Sequence, residues 1–350
     1  MKDPRTLIII DTTHFQMWKY VDVGEGEKIF HKVDEFIFSK KTKYQLLEIV
    51  KTRDFGNVLF LDGDPQSSEI DEHIFNECLV HPSMIAHSKP KTVFIGGGGT
   101  GLTLREVLRY KSVKRVDIVD IDKEVVDTCR NLYNYASESF SDSRTNLYHE
   151  DARKFLTKTS SKYDCIFLDT TMPHHDDIAA PLYRKEFFEI ARKKLNSGGI
   201  FATAANSADF QHSTRFASVV KTLQDVFTFV TPYVAYTPLF GQEWAFALAS
   251  NAVEPSELEP FEVNKRLVEK GCTGLNFYDG ITHRRIFSID KKLRRLLDET
   301  GHVLTDSLQV RDEIFVPELS GAHTFENYAN MVDLSHSNMI EVKNSTHKTF

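Results

Sequence analysis

A run of glycines, followed by acidic residues at regular intervals, is the part of this sequence whose residue types and spacing could do chemistry. The run is Gly96-Gly97-Gly98-Gly99-Thr100-Gly101. A glycine-rich turn between a strand and a helix lets backbone N–H groups approach a ligand closely, and the helix N-terminus adds partial positive charge. Gly96, Gly98 and Gly101 also fit the GxGxxG pattern, which by itself allows NAD or FAD. The loop therefore predicts a nucleotide site and leaves the nucleotide open.

Acidic residues stand at the ends of the next three predicted strands. Asp120, followed by Ile121, comes about twenty residues after the loop, where a carboxylate accepts hydrogen bonds from ribose hydroxyls. The run Glu150-Asp151-Ala152 offers an acid for the adenine amino group, and Asp169-Thr170-Thr171 follows. Any single one of these Asp residues could equally well cap the next helix instead of binding a ligand. The series predicts one crevice lined by acids at the carboxyl edge of a parallel sheet.

Short apolar runs that alternate with helical segments are expected to position these residues. Strands are predicted at residues 93–96, 116–122, 146–149, 164–169 and 199–204, with helices such as 103–110 and Lys123–Leu132 between them and a helix break at Gly198-Gly199. Two further runs, 229–236 and 244–250, are separated by too few residues for a helical crossover and should pair antiparallel. The pattern predicts an α/β fold with a Rossmann-like sheet of the AdoMet-methyltransferase type.

Three regions are expected along the chain. Residues 1–80 read as a small N-terminal β-rich domain, because residues 28–62 carry strand patterns around the turn Phe55-Gly56-Asn57. Residues 81–305 form the predicted catalytic domain. Residues 306–350 are a C-terminal extension whose polar end, 335–350, is expected to be disordered.

Composition excludes several classes of protein. The net charge of −7 gives no basic footprint for nucleic acid and mildly favours a cationic ligand such as a sulfonium or a polyamine. No stretch approaches the roughly 20 apolar residues that a membrane helix needs, and the start lacks a signal-peptide pattern. Four scattered cysteines suggest neither a zinc site nor a disulfide framework. A cytoplasmic protein without nucleic-acid or membrane partners is expected.

Several ordered motifs together resemble one enzyme family. Lys43-Tyr44-Gln45, residues 55–63 (FGNVLFLDG) and the acidic stretch from Gln66 to His81 are similar to its YQ, YGNVLVLDG and QLTExDE signatures. Residues 95–101 are similar to its IGGGDGG loop, and Asp120-Ile121-Asp122 to its EID. Over roughly residues 18–297 the chain resembles the spermidine synthase (polyamine aminopropyltransferase) family.

The resemblance implies roles for the donor and catalytic residues. Gln45, Asp120 and Asp151, with the glycine loop and the neighbouring Ile121 and Ala152, would hold the nucleoside part of a sulfonium donor. Asp169 would be the carboxylate that helps deprotonate the attacking amine. The family further implies a homodimer formed through the N-terminal domain.

One departure from the family concerns the donor. The fourth loop position, an Asp that binds the free amine of decarboxylated S-adenosylmethionine in the family, is assigned to Gly99. Its loss would remove a charge-assisted contact of roughly 1.5–3 kcal/mol and a charge that repels the carboxylate of intact S-adenosylmethionine. Putrescine N-methyltransferases, whose loop reads GGGIGFT before a helix ELLRY, also lack this Asp. We therefore expect S-adenosylmethionine as donor, with decarboxylated S-adenosylmethionine as the alternative.

The acceptor side departs further. The family's DSSDP becomes Asp169-Thr170-Thr171-Met172-Pro173, and its acceptor-site Tyr and Gln become Phe75 and Asn76. The Tyr of a later loop falls near Pro238, beside Phe240. Putrescine would lose the contacts that offset burial of its ammonium ends. A less charged or partly aromatic amine is expected, with substrate contacts from Phe75, Asn76, Thr170, Met172, Pro238 and Phe240.

The segment His174-His175-Asp176-Asp177 resembles a set of metal ligands. Adjacent residues rarely point at one ion, so a polar gate loop is the preferred interpretation and no metal is expected. Asp176 or Asp177 could instead replace the missing diamine-binding acid from a shifted position.

Three functions stay open from the sequence. The leading hypothesis is an S-adenosylmethionine-dependent N-methyltransferase of spermidine synthase ancestry, with Asp169 as general base. The second is aminopropyl transfer from decarboxylated S-adenosylmethionine to an unusual polyamine. The third is a non-catalytic nucleoside-binding homologue.

Overall fold

A computed structural model describes residues 6–10, 15–24, 27–172, 178–209, 213–252 and 254–307. Its N-terminal part is a six-stranded antiparallel sheet in which each strand pairs with the next along the chain. Turns such as Asp62-Gly63, both at positive φ, join neighbouring strands. The strands are β1 (Thr6–Ile10), β2 (Phe15–Gly24), β3 (Glu27–Lys41), β4 (Leu46–Thr52), β5 (Gly56–Leu61) and β6 (Asp64–Ser68).

A long helix, α1 (Glu72–Ala86), leads into a second sheet of seven strands. Its strands are β7 (Thr92–Gly97), β8 (Arg115–Val119), β9 (Thr145–Tyr148), β10 (Tyr163–Asp169), β11 (Leu195–Ser207), β12 (Phe229–Thr237) and β13 (Gln242–Ser250). Between and after them come α2 (Leu102–Leu108), α3 (Lys123–Leu132), α4 (Ala152–Lys158), α5 (Lys185–Lys194), α6 (Ser213–Gln224), α7 (Pro260–Glu269), α8 (Gly280–Phe287) and α9 (Lys291–Glu299).

The topology of the second sheet confirms the predicted α/β fold. The strand order is β12-β13-β11-β10-β7-β8-β9. The strands β11, β10, β7, β8 and β9 are parallel, and β13 runs antiparallel to both of its neighbours. Each predicted strand is present within a few residues, and α3 has the predicted bounds.

The predicted helix break at Gly198-Gly199 is misplaced. Helix α5 already ends at Lys194, and both glycines lie inside β11, where the pairing with β10 shifts register between Tyr163 and Cys165. Gly198 has φ +75°, a conformation that favours glycine, so the pair marks an irregularity of the strand.

Alternate residues of the central strands face two different hydrophobic layers. In β7, Val93 and Ile95 belong to the layer that includes α1 and α2, whereas Phe94 packs with residues of α4 and α5. In β10, Phe167 and Leu168 divide in the same way, and all five of these side chains are almost completely buried. Because both faces are covered, polar side chains at the strand ends are the part of the central strands open to a ligand.

One carboxylate of helix α1 forms hydrogen bonds with the C-terminal part of the described chain. Glu77, 1% exposed, accepts hydrogen bonds from the backbone N–H groups of Asn276, Phe277 and Tyr278 at 2.7–2.9 Å. The contact fixes the turn that precedes α8 and holds α1 in place, along with the candidate substrate residues Phe75 and Asn76.

No helix within the described residues is long and apolar enough to cross a bilayer. The domain limits predicted from the sequence, at residues 80 and 305, stay predictions. The tail at 335–350 lies outside the described residues.

Replacing Glu77 by Gln should destabilise the fold by about 2–3 kcal/mol, because an amide puts an N–H group where three backbone donors converge. Urea unfolding measures the loss. The matched control is Glu299→Gln on α9, where the exposed carboxylate pairs with Arg295 and contributes little. Equal stability of the two variants would contradict this role of Glu77.

Candidate active site

The site is built around a close backbone contact between two strand ends. Residues Gly97 of β7 and Asp169 of β10 are paired, and the Gly98 N–H donates to the Asp169 carbonyl at 2.7 Å. Gly97 has φ +83°, and a Cβ at this position would lie 2.1 Å from that carbonyl oxygen. Only glycine allows the loop to approach β10 this closely. The loop thus opens beside the Asp169 side chain.

A cavity of about 910 Å³ lies at the carboxyl edge of the sheet, against the N-terminal sheet. It brings together most of the residues expected from the sequence. On the expected donor side these are Gln45, Gly97, Gly98, Gly99, Asp120, Ile121, Asp151 and Ala152, and on the catalytic and substrate side Asp169, Phe75, Asn76, Thr170, Met172 and Phe240.

Three of the expected residues do not line the cavity. Gly96 is buried inside β7, where a Cβ would meet Phe94, Ala152 and Leu168, so its small size serves packing. Gly101 precedes α2 at φ +78° and faces Phe140. Pro238 lies in the turn between β12 and β13, from which the Phe240 side chain reaches the cavity instead.

The next segment of expected residues, His174 to Asp177, lies outside the described residues, and so does the predicted substrate contact of Asp176. Within the described ranges, no three His, Cys, Asp or Glu side chains are grouped in a way that could hold a metal ion.

Two carboxyl groups in the cavity share an unusual electrostatic setting. Burial raises the pKa of Asp120 to about 6, with the nearby Asp122 and Asp169 carboxylates adding to the rise and backbone N–H groups opposing it. Burial likewise raises the pKa of Asp169 to about 6, against a hydrogen bond from Thr103. A positively charged ligand would favour the ionised form of both groups.

The helix-capping interpretation of strand-end acids is realised for two of them. Asp122 accepts from the Glu124 N–H at 3.0 Å and caps α3, and Asp151 accepts from the Lys154 N–H at 3.0 Å and caps α4. Asp151 also lines the cavity, so in this chain capping does not exclude an Asp from the site.

Gln45 reaches the cavity from the N-terminal sheet. Its Nε2 donates to Asp122 Oδ2 at 3.1 Å, and the same oxygen accepts from Thr42 Oγ1 at 2.7 Å. Buried Asp122 thereby fastens the N-terminal sheet to the end of β8 and fixes the direction in which the Gln45 carbonyl can face.

A side chain at Gly99 would meet two neighbouring side chains. A Cβ there would lie 2.8 Å from Asp120 Oδ2 and 3.1 Å from Val125 Cγ1. A side chain at this position would therefore require the Asp120 carboxylate to shift, and a second carboxylate there would repel it. The adjacent Thr100 has a partly exposed side chain that lines the cavity.

Sequence reasoning missed several lining residues. Tyr44 and Gln66 line the cavity, and their place within the family motifs could have identified them as site residues. Arg215 comes from α6 and Trp244 from β13, far along the chain, and no local pattern marks either.

Aromatic side chains form one wall of the cavity on the substrate side. The ring centroids of Phe240 and Trp244 are 4.5 Å apart, and those of Phe75 and Phe240 are 6.4 Å apart in an edge-on arrangement. Met172 lies on the same cavity. This wall presents ring faces and edges rather than carboxylates.

Two family models match the chain. The spermine/spermidine synthase domain matches residues 72–257, and the spermidine synthase tetramerisation domain matches residues 17–69.

Individual relatives agree with these matches. A polyamine aminopropyltransferase from Sulfurisphaera tokodaii is 38% identical over 276 residues, which cover 79% of this chain and 91% of the relative. A spermidine synthase crystal structure from Thermotoga maritima has a TM-score of 0.73 at 26% identity, covering 82% of this chain and 95% of that one. A spermidine synthase in complex with the transition state analogue AdoDATO has a TM-score of 0.75 at 26% identity, covering 80% and 94%.

The close contact at Gly97 predicts that Gly97→Ala is far more damaging than Gly198→Ala. Both glycines have φ near +80°, so both alanines are strained, but a Cβ at Gly198 meets nothing within 4 Å. Gly97→Ala should cost roughly 2 kcal/mol more in the free energy of unfolding, measured in urea. Equal losses would show that the backbone contact is not tight.

Proposed function

This chain belongs to the spermine/spermidine synthase family, and we propose that it transfers an aminopropyl group from decarboxylated S-adenosylmethionine to a small amine. The observation that carries the proposal is the single cavity in which Asp120 and Asp169 flank the glycine loop. Asp120 lies where a carboxylate can accept from the ribose hydroxyls. Asp169 accepts a hydrogen bond from Thr103 of α2 and lines the same cavity as Phe75 and Asn76 of α1.

The proposed reaction needs little more than positioning and a base. The neutral amine nitrogen attacks the aminopropyl carbon next to the sulfonium, a C–N bond forms, and the C–S bond breaks. Its electron pair stays on sulfur, so neutral methylthioadenosine leaves. The attacking nitrogen gives up one proton, which the Asp169 carboxylate accepts. Holding both reactants in line and accepting this proton supply the rate enhancement.

We propose a second register of the glycine loop, which removes the argument for methyl transfer. When the T of GGGIGFT is placed on Thr103, the three glycines fall on residues 97–99 and the next position on Thr100. The expected loss of an acid at Gly99 therefore belongs to Thr100, whose hydroxyl can still accept a hydrogen bond from the donor's ammonium. The relatives reported above are named for aminopropyl transfer or spermidine synthesis, so N-methyl transfer has no support among them.

The acceptor we propose is a small amine with an apolar or aromatic body. Its reactive nitrogen would face Asp169, and its body would lie against Phe75, Phe240 and Trp244. Aromatic faces also attract an ammonium group by cation–π interaction, at roughly 0.5–2 kcal/mol. This wall suits one charged end better than the two buried ends of a short diamine.

We also propose that the chain associates with itself through the N-terminal sheet. Phe30, Phe36 and Ile37 of β3 are exposed hydrophobic side chains on that sheet. A homodimer is the assembly expected from the resemblance, and the name of the matching model, a tetramerisation domain, supports self-association. We likewise propose that the N-terminal domain ends at residue 80 and the catalytic domain at residue 305.

Binding calorimetry with four nucleosides tests the donor. We expect decarboxylated S-adenosylmethionine and methylthioadenosine to bind more tightly than S-adenosylmethionine and S-adenosylhomocysteine. The opposite order would favour methyl transfer, and no binding of any of the four would overturn both enzymatic functions. Thr100→Asp should strengthen binding of the decarboxylated donor roughly tenfold through a charge-assisted contact. Gly99→Asp is the matched control and should weaken all four, because its side chain meets Asp120.

Replacing Asp169 by Asn tests the base. Turnover should fall by roughly 10²-fold or more, because an amide cannot accept the proton, and this loss should far exceed the loss of donor affinity. Steady-state kinetics and calorimetry measure the two quantities. Asp225→Asn, on an exposed carboxylate paired with Lys185, is the control and should leave turnover unchanged. A turnover of Asp169→Asn close to that of the control would remove Asp169 from the mechanism.

A further inference from the structure

We propose that Asn76 competes with Asp169 for the hydroxyl hydrogen of Thr103 and so opposes ionisation of Asp169 in the empty cavity, whereas the cationic donor, once bound, favours the ionised base. The proposal rests on the proposed function of Asp169 as the base. Asn76 is then a positioning residue, because it acts on the proton of another group. Three side chains from α1, α2 and the end of β10 form the arrangement.

The hydroxyl of Thr103 lies between two acceptors. Thr103 Oγ1 is 2.7 Å from Asp169 Oδ2 and 3.1 Å from Asn76 Oδ1. Thr103 is fully buried and Asn76 is 4% exposed, so water has little access to the pair. A hydroxyl carries one hydrogen and can donate to only one of these oxygens at a time.

The amide of Asn76 is held in the orientation that presents its oxygen to Thr103. Asn76 Nδ2 donates to the Glu72 carbonyl at 2.7 Å and lies 3.3 Å from Glu72 Oε2. A carbonyl oxygen can only accept, so turning the amide would place two acceptors against each other. Arg105 fixes the Glu72 carboxylate at 2.8 Å.

Counting hydrogens decides which form of Asp169 fits this arrangement. When Asp169 is ionised, its oxygen and that of buried Asn76 compete for one Thr103 hydrogen, so one of the two oxygens loses this contact. When Asp169 is protonated, it can donate to Thr103, which then donates to Asn76, and every group is satisfied. The same form is favoured by burial, which raises the pKa of Asp169 to about 6.

Donor binding would act in the opposite direction to Asn76. A sulfonium cation beside Asp169 favours the ionised carboxylate, and the released proton passes to solvent through the open cavity. Asp169 is then ready to accept the proton of the attacking amine. The cationic donor itself would thus increase the ionised fraction of the base.

Other charged groups lie around Asp169, and the substitutions that test the proposal leave all of them unchanged. Asp120 faces it from the end of β8, and the Glu72–Arg105 ion pair lies behind Asn76 on α1 and α2. The further charged side chains on the cavity are Asp62, Asp64, Asp151, Arg153 and Arg215. Differences between variants in the titration of Asp169 therefore report the Asn76–Thr103 contacts.

Carbon-13 NMR of aspartate carboxyl carbons in the ligand-free full chain tests the proposal, with the Asp169 signal assigned by its absence in Asp169→Asn. Asn76→Leu frees the Thr103 hydrogen for Asp169 and should lower the titration midpoint by about one pH unit. Thr103→Val removes the donor to the ionised form and should raise the midpoint by about one pH unit. Thr222→Val, a buried helical threonine bonded to Ser218 in α6, is the matched control and should not move it.

Opposite shifts of the Asp169 midpoint in the two variants support the proposal. A general loss of packing would not lower the midpoint in one variant and raise it in the other. An unchanged midpoint in both variants, or a shift in the same direction, overturns it. Each variant remains informative if the other fails to fold. The acidic limb of the kcat/KM profile should move with the NMR midpoint. If the NMR midpoints shift oppositely but the limb does not move, the Asn76–Thr103 arrangement stands and the role of Asp169 as base fails.

Discussion

The backbone hydrogen bond from Gly98 to the Asp169 carbonyl is the constraint on which the rest of the site depends. It can form only because residue 97 lacks a side chain, since any Cβ there would overlap the same carbonyl oxygen. The contact places the glycine loop directly beside the end of β10. Asp169 and Asp120 consequently share one cavity, where burial raises the pKa of each to about 6.

Much of the fold and the donor half of the site could be predicted because both follow from local patterns. Alternating apolar runs identify strands buried on both faces, and an acid directly after such a strand must lie at the open edge of the sheet. Asp120, Asp151 and Asp169 were found in this way. Arg215 and Trp244 were not, because α6 and β13 reach the cavity only through the three-dimensional path of the chain.

The glycine loop shows where a sequence pattern is ambiguous. Four consecutive glycines allow two registers against a three-glycine motif, and residue types alone do not choose between them. We propose the register that places the three glycines on residues 97–99, because a Cβ at Gly99 would lie 2.8 Å from Asp120 Oδ2. Matched motif residues can also be structural: Glu77 binds three backbone N–H groups, and Asp71 accepts from the Leu239 N–H at 2.7 Å. Both hold the elements that carry the site and take no part in the proposed chemistry.

Identifying the nucleoside released during turnover tests the central claim most directly. The full chain would be incubated with an equimolar mixture of S-adenosylmethionine and its decarboxylated form and a panel of small amines, and the nucleosides separated by chromatography and mass spectrometry. The account predicts methylthioadenosine, formed only in the presence of an amine and with an equal amount of aminopropylated product. Amine-dependent release of S-adenosylhomocysteine with methylated product would contradict it.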